Sequence, residues 1–165
     1  MRKKHNMRWS ELHPICELDL DRDEDVNSAL VRYISPFDHW LTPEEADDCN
    51  TLYYKKAIIE ARSRTTYLNQ ENTFIEFYCN LAKSGFFVRK SQSNQTRFFE
   101  HINTKALKIF RRSLREKRFM DAYFPAFEIR VLGGHDRTDT LLSLSPDKLE
   151  LVRKLAHHSS LYILE

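Results

Sequence analysis

The chain has 165 residues, 41% of them hydrophobic and 30% charged, which is enough to bury one core without disulfide or metal staples. Its formal charge is only +2, its three cysteines are isolated, and its three glycines, Gly85, Gly133 and Gly134, build neither a Walker loop nor a GxGxxG turn. Composition thus argues against a zinc ribbon, a disulfide framework and the common nucleotide-binding enzymes, and no run approaches the roughly 18 apolar residues of a membrane helix.

Residues 1–8 begin with a basic run that no apolar segment follows, so a flexible basic tail and a cytoplasmic protein are expected. Residues 16–21 alternate apolar and acidic side chains, which predicts a strand with Cys16, Leu18 and Leu20 on one face. A short helix is expected over 24–34, ended by Ser35-Pro36. Thr42, Pro43 and Glu45 form a capping box with proline at the first helical position, and Ala46, Cys49, Tyr53 and Ala57 follow at helical spacing, predicting a helix from about 43 to 63. Thr73 and Glu76 make a second box, opening a helix with the stripe Phe74, Phe77, Tyr78 and Leu81 that Gly85 stops.

Phe86, Phe87 and Val88 then predict a short strand, 91–96 a polar loop, and Arg97 to His101 a helical turn. Asn103 or Thr104 caps a helix running to about Arg118 or Phe119. Phe127, Ile129 and Val131 alternate with charged residues, Gly133 to Asp136 forms a turn, and 138–144 returns as a strand, giving a hairpin near 126–144. Ser145-Pro146 starts a last helix carrying Leu149, Val152 and Ala156, and 161–164 reads as a terminal strand. About five helices with a small, mostly antiparallel sheet predict a single α+β domain over 1–165. The order of elements over 73–144 also fits a winged helix-turn-helix, with 104–118 as its recognition helix.

Function is sought in the sorting of charge. Residues 11–50 hold twelve Asp and Glu against Arg22 and Arg32, whereas 83–118 hold eleven Lys and Arg against Glu100 and Glu116. On a helical wheel Lys105, Lys108, Arg111, Arg112 and Arg115 fill one arc of about 120°, opposite the stripe of Ala106, Leu107, Phe110, Ser113 and Leu114. Guanidinium groups suit bidentate phosphate contacts, so this helix, extended by Arg89, Lys90 and Arg97, is expected to contact nucleic acid, DNA or RNA. A solvated or internally matched face is the bland alternative, since exposed ion pairs contribute only about 0–1 kcal/mol each.

The acidic block supports a different expectation: Glu17, Asp19, Asp21 and Asp23 form a surface for a basic protein partner, as in an inhibitor or immunity-type protein. It fails as a calcium loop, because Glu24 and Leu30 stand where glycine and glutamate are required. A metal-dependent nuclease using Asp19 and Asp21 from one strand face is a further alternative. His135, Asp136 and Asp139 read as hairpin-turn residues, adjacent His157 and His158 point apart on their helix, and no Ser, Cys or Lys nucleophile has a base beside it. Binding rather than catalysis, with no organic cofactor and no metal, is the resulting expectation.

Overall fold

Strands buried on both faces organise the molecule around one antiparallel sheet, seen in a computed structural model that describes residues 7–91 and 93–165. Its strands are β1 (Leu30–Ser35), β2 (Phe86–Arg89), β3 (Thr96–Phe99), β4 (Asp121–Phe124), β5 (Ile129–Leu132), β6 (Asp139–Ser143) and β7 (Tyr162–Leu164), in the order β3-β2-β4-β5-β6-β1-β7. On one face Phe86, Val88, Phe124, Ile129, Val131 and Leu141 join the main core; on the other, Phe87, Tyr123 and Leu142 join a second cluster. Alternation of successive side chains across a strand makes both faces apolar, so both must be covered.

Helices cover the first face. Helix α4 (Ala61–Leu81) buries Phe74, Phe77, Tyr78 and Leu81, helix α5 (Thr104–Leu114) buries Ala106, Phe110 and Leu114, and helix α6 (Pro146–His158) buries Leu149, Val152 and Ala156. Each fully buried phenylalanine contributes about 1.5–3 kcal/mol. The N-terminal segment covers the second face: Trp9, Ile15 and Cys16 are buried there, with Leu12, Leu18 and Leu20 packed around them. Thr96 Oγ1 donates to the Met7 carbonyl at 2.7 Å and Trp9 N to Asn94 O at 2.8 Å, so Met7 and Arg8 are attached to the β2–β3 hairpin. The rest of the expected tail, 1–6, lies outside the described residues. The α+β class, the Phe/Tyr stripe, β2, the 129–143 hairpin, the last helix and the terminal strand agree with expectation.

Several boundaries differ for tertiary reasons. Residues 16–21 form no strand: Pro14–Cys16 is a 3-10 turn, and the Ile15 and Leu18 carbonyls accept from Arg130 instead of from a neighbouring strand. Leu18 and Leu20 still pack inward, so the apolar face was legible although the backbone was not. The helix expected over 24–34 is α1 (Asp23–Ser28) followed by β1, whose β-branched and aromatic residues find ladder partners in β6 and β7.

The helix expected over 43–63 keeps its capping box but breaks into α2 (Pro43–Asp48) and α3 (Tyr54–Ala57), and α4 begins at Ala61. Asp47 through Thr51 are weak helix formers. A continuous helix would also hold Leu52 about 100° from the Ala46–Ala57 stripe, whereas the bent chain buries both Leu52 and Ala57. The second box is not used: Thr73 lies inside α4 and its hydroxyl donates to Gln70 O at 2.7 Å.

Residues 97–101 are not a helical turn. Thr96–Phe99 is a strand because Phe98 and Phe99 stand opposite Phe87 and Phe86, with ring centroids 4.8 and 5.0 Å apart. Without that helix no helix-turn-helix pair forms, and the winged-helix order is overturned by the seven-stranded sheet. Strand β4, which the sequence reading left unassigned, lies between β2 and β5. Gly85 follows a 3-10 turn with φ +85°, where a Cβ would also meet the Phe98 ring at 2.8 Å.

Candidate functional site

Helix α5 starts where the sequence indicates: the Asn103 side chain accepts from Lys105 N and Ala106 N, both at 3.0 Å. It stops earlier than expected, at Leu114. Glu116 adopts φ +52°, and Lys117 N and Arg118 N both turn back to the Arg112 carbonyl, at 2.9 and 3.2 Å. The chain then enters β4, so one end of the sheet meets the cationic side of α5.

A cavity of about 890 Å³ opens there. Lys105, Lys108 and Arg112 face it from α5, and Arg89, Lys90 and Arg97 from β2, its following turn and β3. Six of the eight cations singled out in the sequence are thereby brought together from three elements. Arg118 adds a seventh, which sequence reasoning missed. A helical wheel continued to 118 puts it beside Arg111, and the reversal at Glu116 turns it into the cavity, where it meets Ser91. The signal available was its place in the basic block.

The groove contains one carboxylate, Asp121, whose charge is already matched. Arg130 grips it with two bonds of 2.9 Å, and Arg89 approaches to 3.5 Å. Arg89 Nε also donates to Ser93 O at 2.9 Å, and Arg118 donates to Ser91 Oγ at 2.9 Å, so these two guanidiniums are held in place. Lys90, Arg97, Lys105, Lys108 and Arg112 are exposed and enter no ion pair among the described residues. Ile109, Met120 and Leu132 give the groove an apolar floor, and Phe119 remains 40% exposed beside it.

The other half of the arc behaves differently. Arg111 and Arg115 line a second hollow of about 320 Å³ with Lys117, and this hollow shares Lys108 and Arg112 with the first. Arg115 is engaged inward: Nε and Nη2 donate to the Glu71 carboxylate at 2.6 and 2.7 Å, and the guanidinium lies 4.4 Å from the Tyr54 ring centroid. Glu71 is buried, and its bonds to Arg115 raise the arginine above its ordinary value. Arg115 therefore belongs to the structure more than to the free surface.

Asp139, expected with His135 and Asp136 as a hairpin-turn residue, instead opens β6 and belongs to a buried polar cluster with Tyr78, because its carboxylate is drawn inward by the Tyr78 hydroxyl and Gly134 N. Asp139 is buried, accepts from Tyr78 Oη and from Gly134 N at 2.8 Å, and is pushed up to about 6 by burial. Buried Arg137 lies 3.5 Å over the Tyr67 ring and donates to Tyr67 O at 3.1 Å; burial lowers its pKa. His135 and Asp136 remain turn residues, with His135 Nδ1 at 3.4 Å and Asp136 N at 3.0 Å from the Glu116 carboxylate.

The acidic candidates have local uses. Asp19 Oδ1 accepts from Asp21 N at 3.1 Å, Asp25 Oδ2 accepts from Asp19 N at 2.8 Å, and Asp23 opens α1. Glu17 is exposed, and Arg22 pairs with Asp19 at 3.8 Å. Asp19 and Asp21 do not share a strand face, which removes the geometric premise of the nuclease. Among the described residues no three His, Cys, Asp or Glu side chains converge to hold a metal ion. Nor does any ion pair among those residues join the acidic block to the basic one.

Fold and site define an α+β protein with a concave cationic groove at one end of an antiparallel sheet. Neither family models, nor curated proteins, nor solved structures provide a match to the chain. Among the described residues no helix is long and apolar enough to cross a membrane.

Proposed function

We propose that this protein binds nucleic acid, with the groove between α5 and the ends of β2 to β5 contacting phosphates. The supporting observation is that, among the described residues, seven cations converge on one cavity whose only carboxylate is already bound to Arg130. Field lines from like charges add inside a walled concavity, so the groove attracts a polyanion more strongly than the net charge of +2 suggests. The acidic surface has no comparable support, because Asp19 and Asp25 are engaged with backbone N–H groups and Glu45 closes a capping box.

The test is the salt dependence of binding to a labelled oligonucleotide. Neutralising about four phosphates gives a log–log slope near −3 to −4. Replacing Arg97, Lys108 and Arg112 together by Gln is expected to weaken binding and flatten the slope by about two to three. Equal affinity and slope in parent and triple variant would falsify the assignment.

A further inference from the structure

The groove is concave, and that restricts what kind of nucleic acid fits. A helix that reads duplex DNA must project into a groove about 12 Å wide. Here the side of α5 that carries Lys105, Lys108 and Arg112 faces a cavity walled by strand ends bearing further cations. A duplex also keeps its bases stacked inside and offers a wall of this kind only sugars and phosphates. Single strands differ, because their bases are free to leave the stack and settle on apolar or aromatic surfaces.

Such a surface is present. Ile109, Met120 and Leu132 line the cavity between the cations, and Phe119 stands beside them 40% exposed. The His135 ring packs against Phe119 at an interplanar angle of 74° and 4.6 Å between centroids, which holds the phenyl ring in position. An exposed phenyl ring set among cations offers a face on which a base can stack. The two hollows also share Lys108 and Arg112, so the cationic track continues over that ridge toward Arg111 and Lys117. A mononucleotide fills one hollow; a polymer is needed to use both.

We propose that the groove holds a single-stranded polynucleotide, its backbone crossing Lys108 and Arg112 and one base stacked on Phe119. This rests on the phosphate-binding reading above and adds strandedness, minimum length and a base contact. The experiment uses the full chain with thymidine monophosphate, a labelled oligothymidylate of about ten nucleotides and a hairpin duplex of equal charge. Affinity is expected to rise from monophosphate to oligomer, and the oligomer to bind more tightly than the duplex.

Phe119→Ala is expected to weaken oligothymidylate binding by about 5- to 150-fold, the range for loss of one stacked base, while leaving the salt slope unchanged. Phe119→Trp is expected to retain binding and report it by fluorescence quenching, which separates loss of the ring from loss of the fold. Duplex binding as tight as single-strand binding overturns the inference, and so does an oligomer affinity indifferent to Phe119→Ala. In either case a flattened slope in the Arg97, Lys108 and Arg112 triple variant leaves the phosphate reading standing. Failure of every probe to bind overturns both.

Discussion

Arg112 and Arg115 stand three residues apart at the end of the same helix, yet they carry different kinds of charge. Arg112 is exposed on the ridge between two hollows and enters no ion pair among the described residues. Arg115 is clamped on buried Glu71 by two bonds under 2.8 Å and covered by Tyr54. The contrast extends to two neighbourhoods. Around the groove, Lys90, Arg97, Lys105, Lys108 and Arg112 enter no ion pair among the described residues; at its base and in the interior, Asp121 with Arg130 and Arg89 and Glu71 with Arg115 are closely matched, and Asp139 is hydrogen-bonded by Tyr78. Burial accounts for the difference, because an unpaired charge is tolerable in water and costs several kcal/mol inside.

The comparison breaks most visibly, if it breaks, at Arg130. Its guanidinium joins Asp121 to the Ile15 and Leu18 carbonyls and so ties the N-terminal segment to the sheet. Arg130→Met is expected to cost at most about 3–5 kcal/mol in urea denaturation, because it leaves the partly buried Asp121 carboxylate with Arg89 alone, 3.5 Å away, and takes the donor from two carbonyls. A parent-like midpoint would show that the pairing is not what holds this region.

Asp139 gives the next largest effect, and it depends on pH. Burial raises its pKa to about 6 from 3.8, so the folded protein holds this proton more tightly than the unfolded chain. Its carboxylate therefore opposes folding above about pH 6, and that cost is relieved as pH falls through 6 toward 4. Asp139→Asn removes the titration. The stability of the variant relative to the parent is expected to fall between pH 7 and pH 4 by on the order of 3 kcal/mol. A difference that stays flat with pH would mean the carboxyl titrates as an exposed one does.

The smallest effect on stability belongs to the groove. Lys108→Gln with Arg112→Gln is expected to change the unfolding free energy by less than about 0.5 kcal/mol, while oligonucleotide affinity and its salt slope both fall. A loss above about 1 kcal/mol would place these cations with Arg115, as structural charge.

Much of the site was legible because a helix writes its faces into local spacing. The cationic arc and the stripe of Ala106, Phe110 and Leu114 follow from 3.6-residue periodicity, and Asn103 and Thr42 cap as their chemistry requires. What stayed hidden depends on distant partners. Nothing near Arg115 announces Glu71, 44 residues away, and nothing near Arg137 announces the Tyr67 ring. Arg118 was missed because the reversal at Glu116 carries no glycine to signal a positive φ.

By itself the sequence determined the α+β class, the apolar stripes of α4, α5 and α6, a hairpin near 126–144 and the concentration of positive charge after residue 83. Each of these is fixed by interactions between residues a few positions apart. Tertiary structure decided that 16–21 is irregular and that 30–35, 96–99 and 121–124 are strands. It also decided which cations are matched and which are free. Strand ladders and buried ion pairs close over long sequence separations, 115 residues between Arg130 and Ile15, and a choice made at that range leaves no local pattern to read.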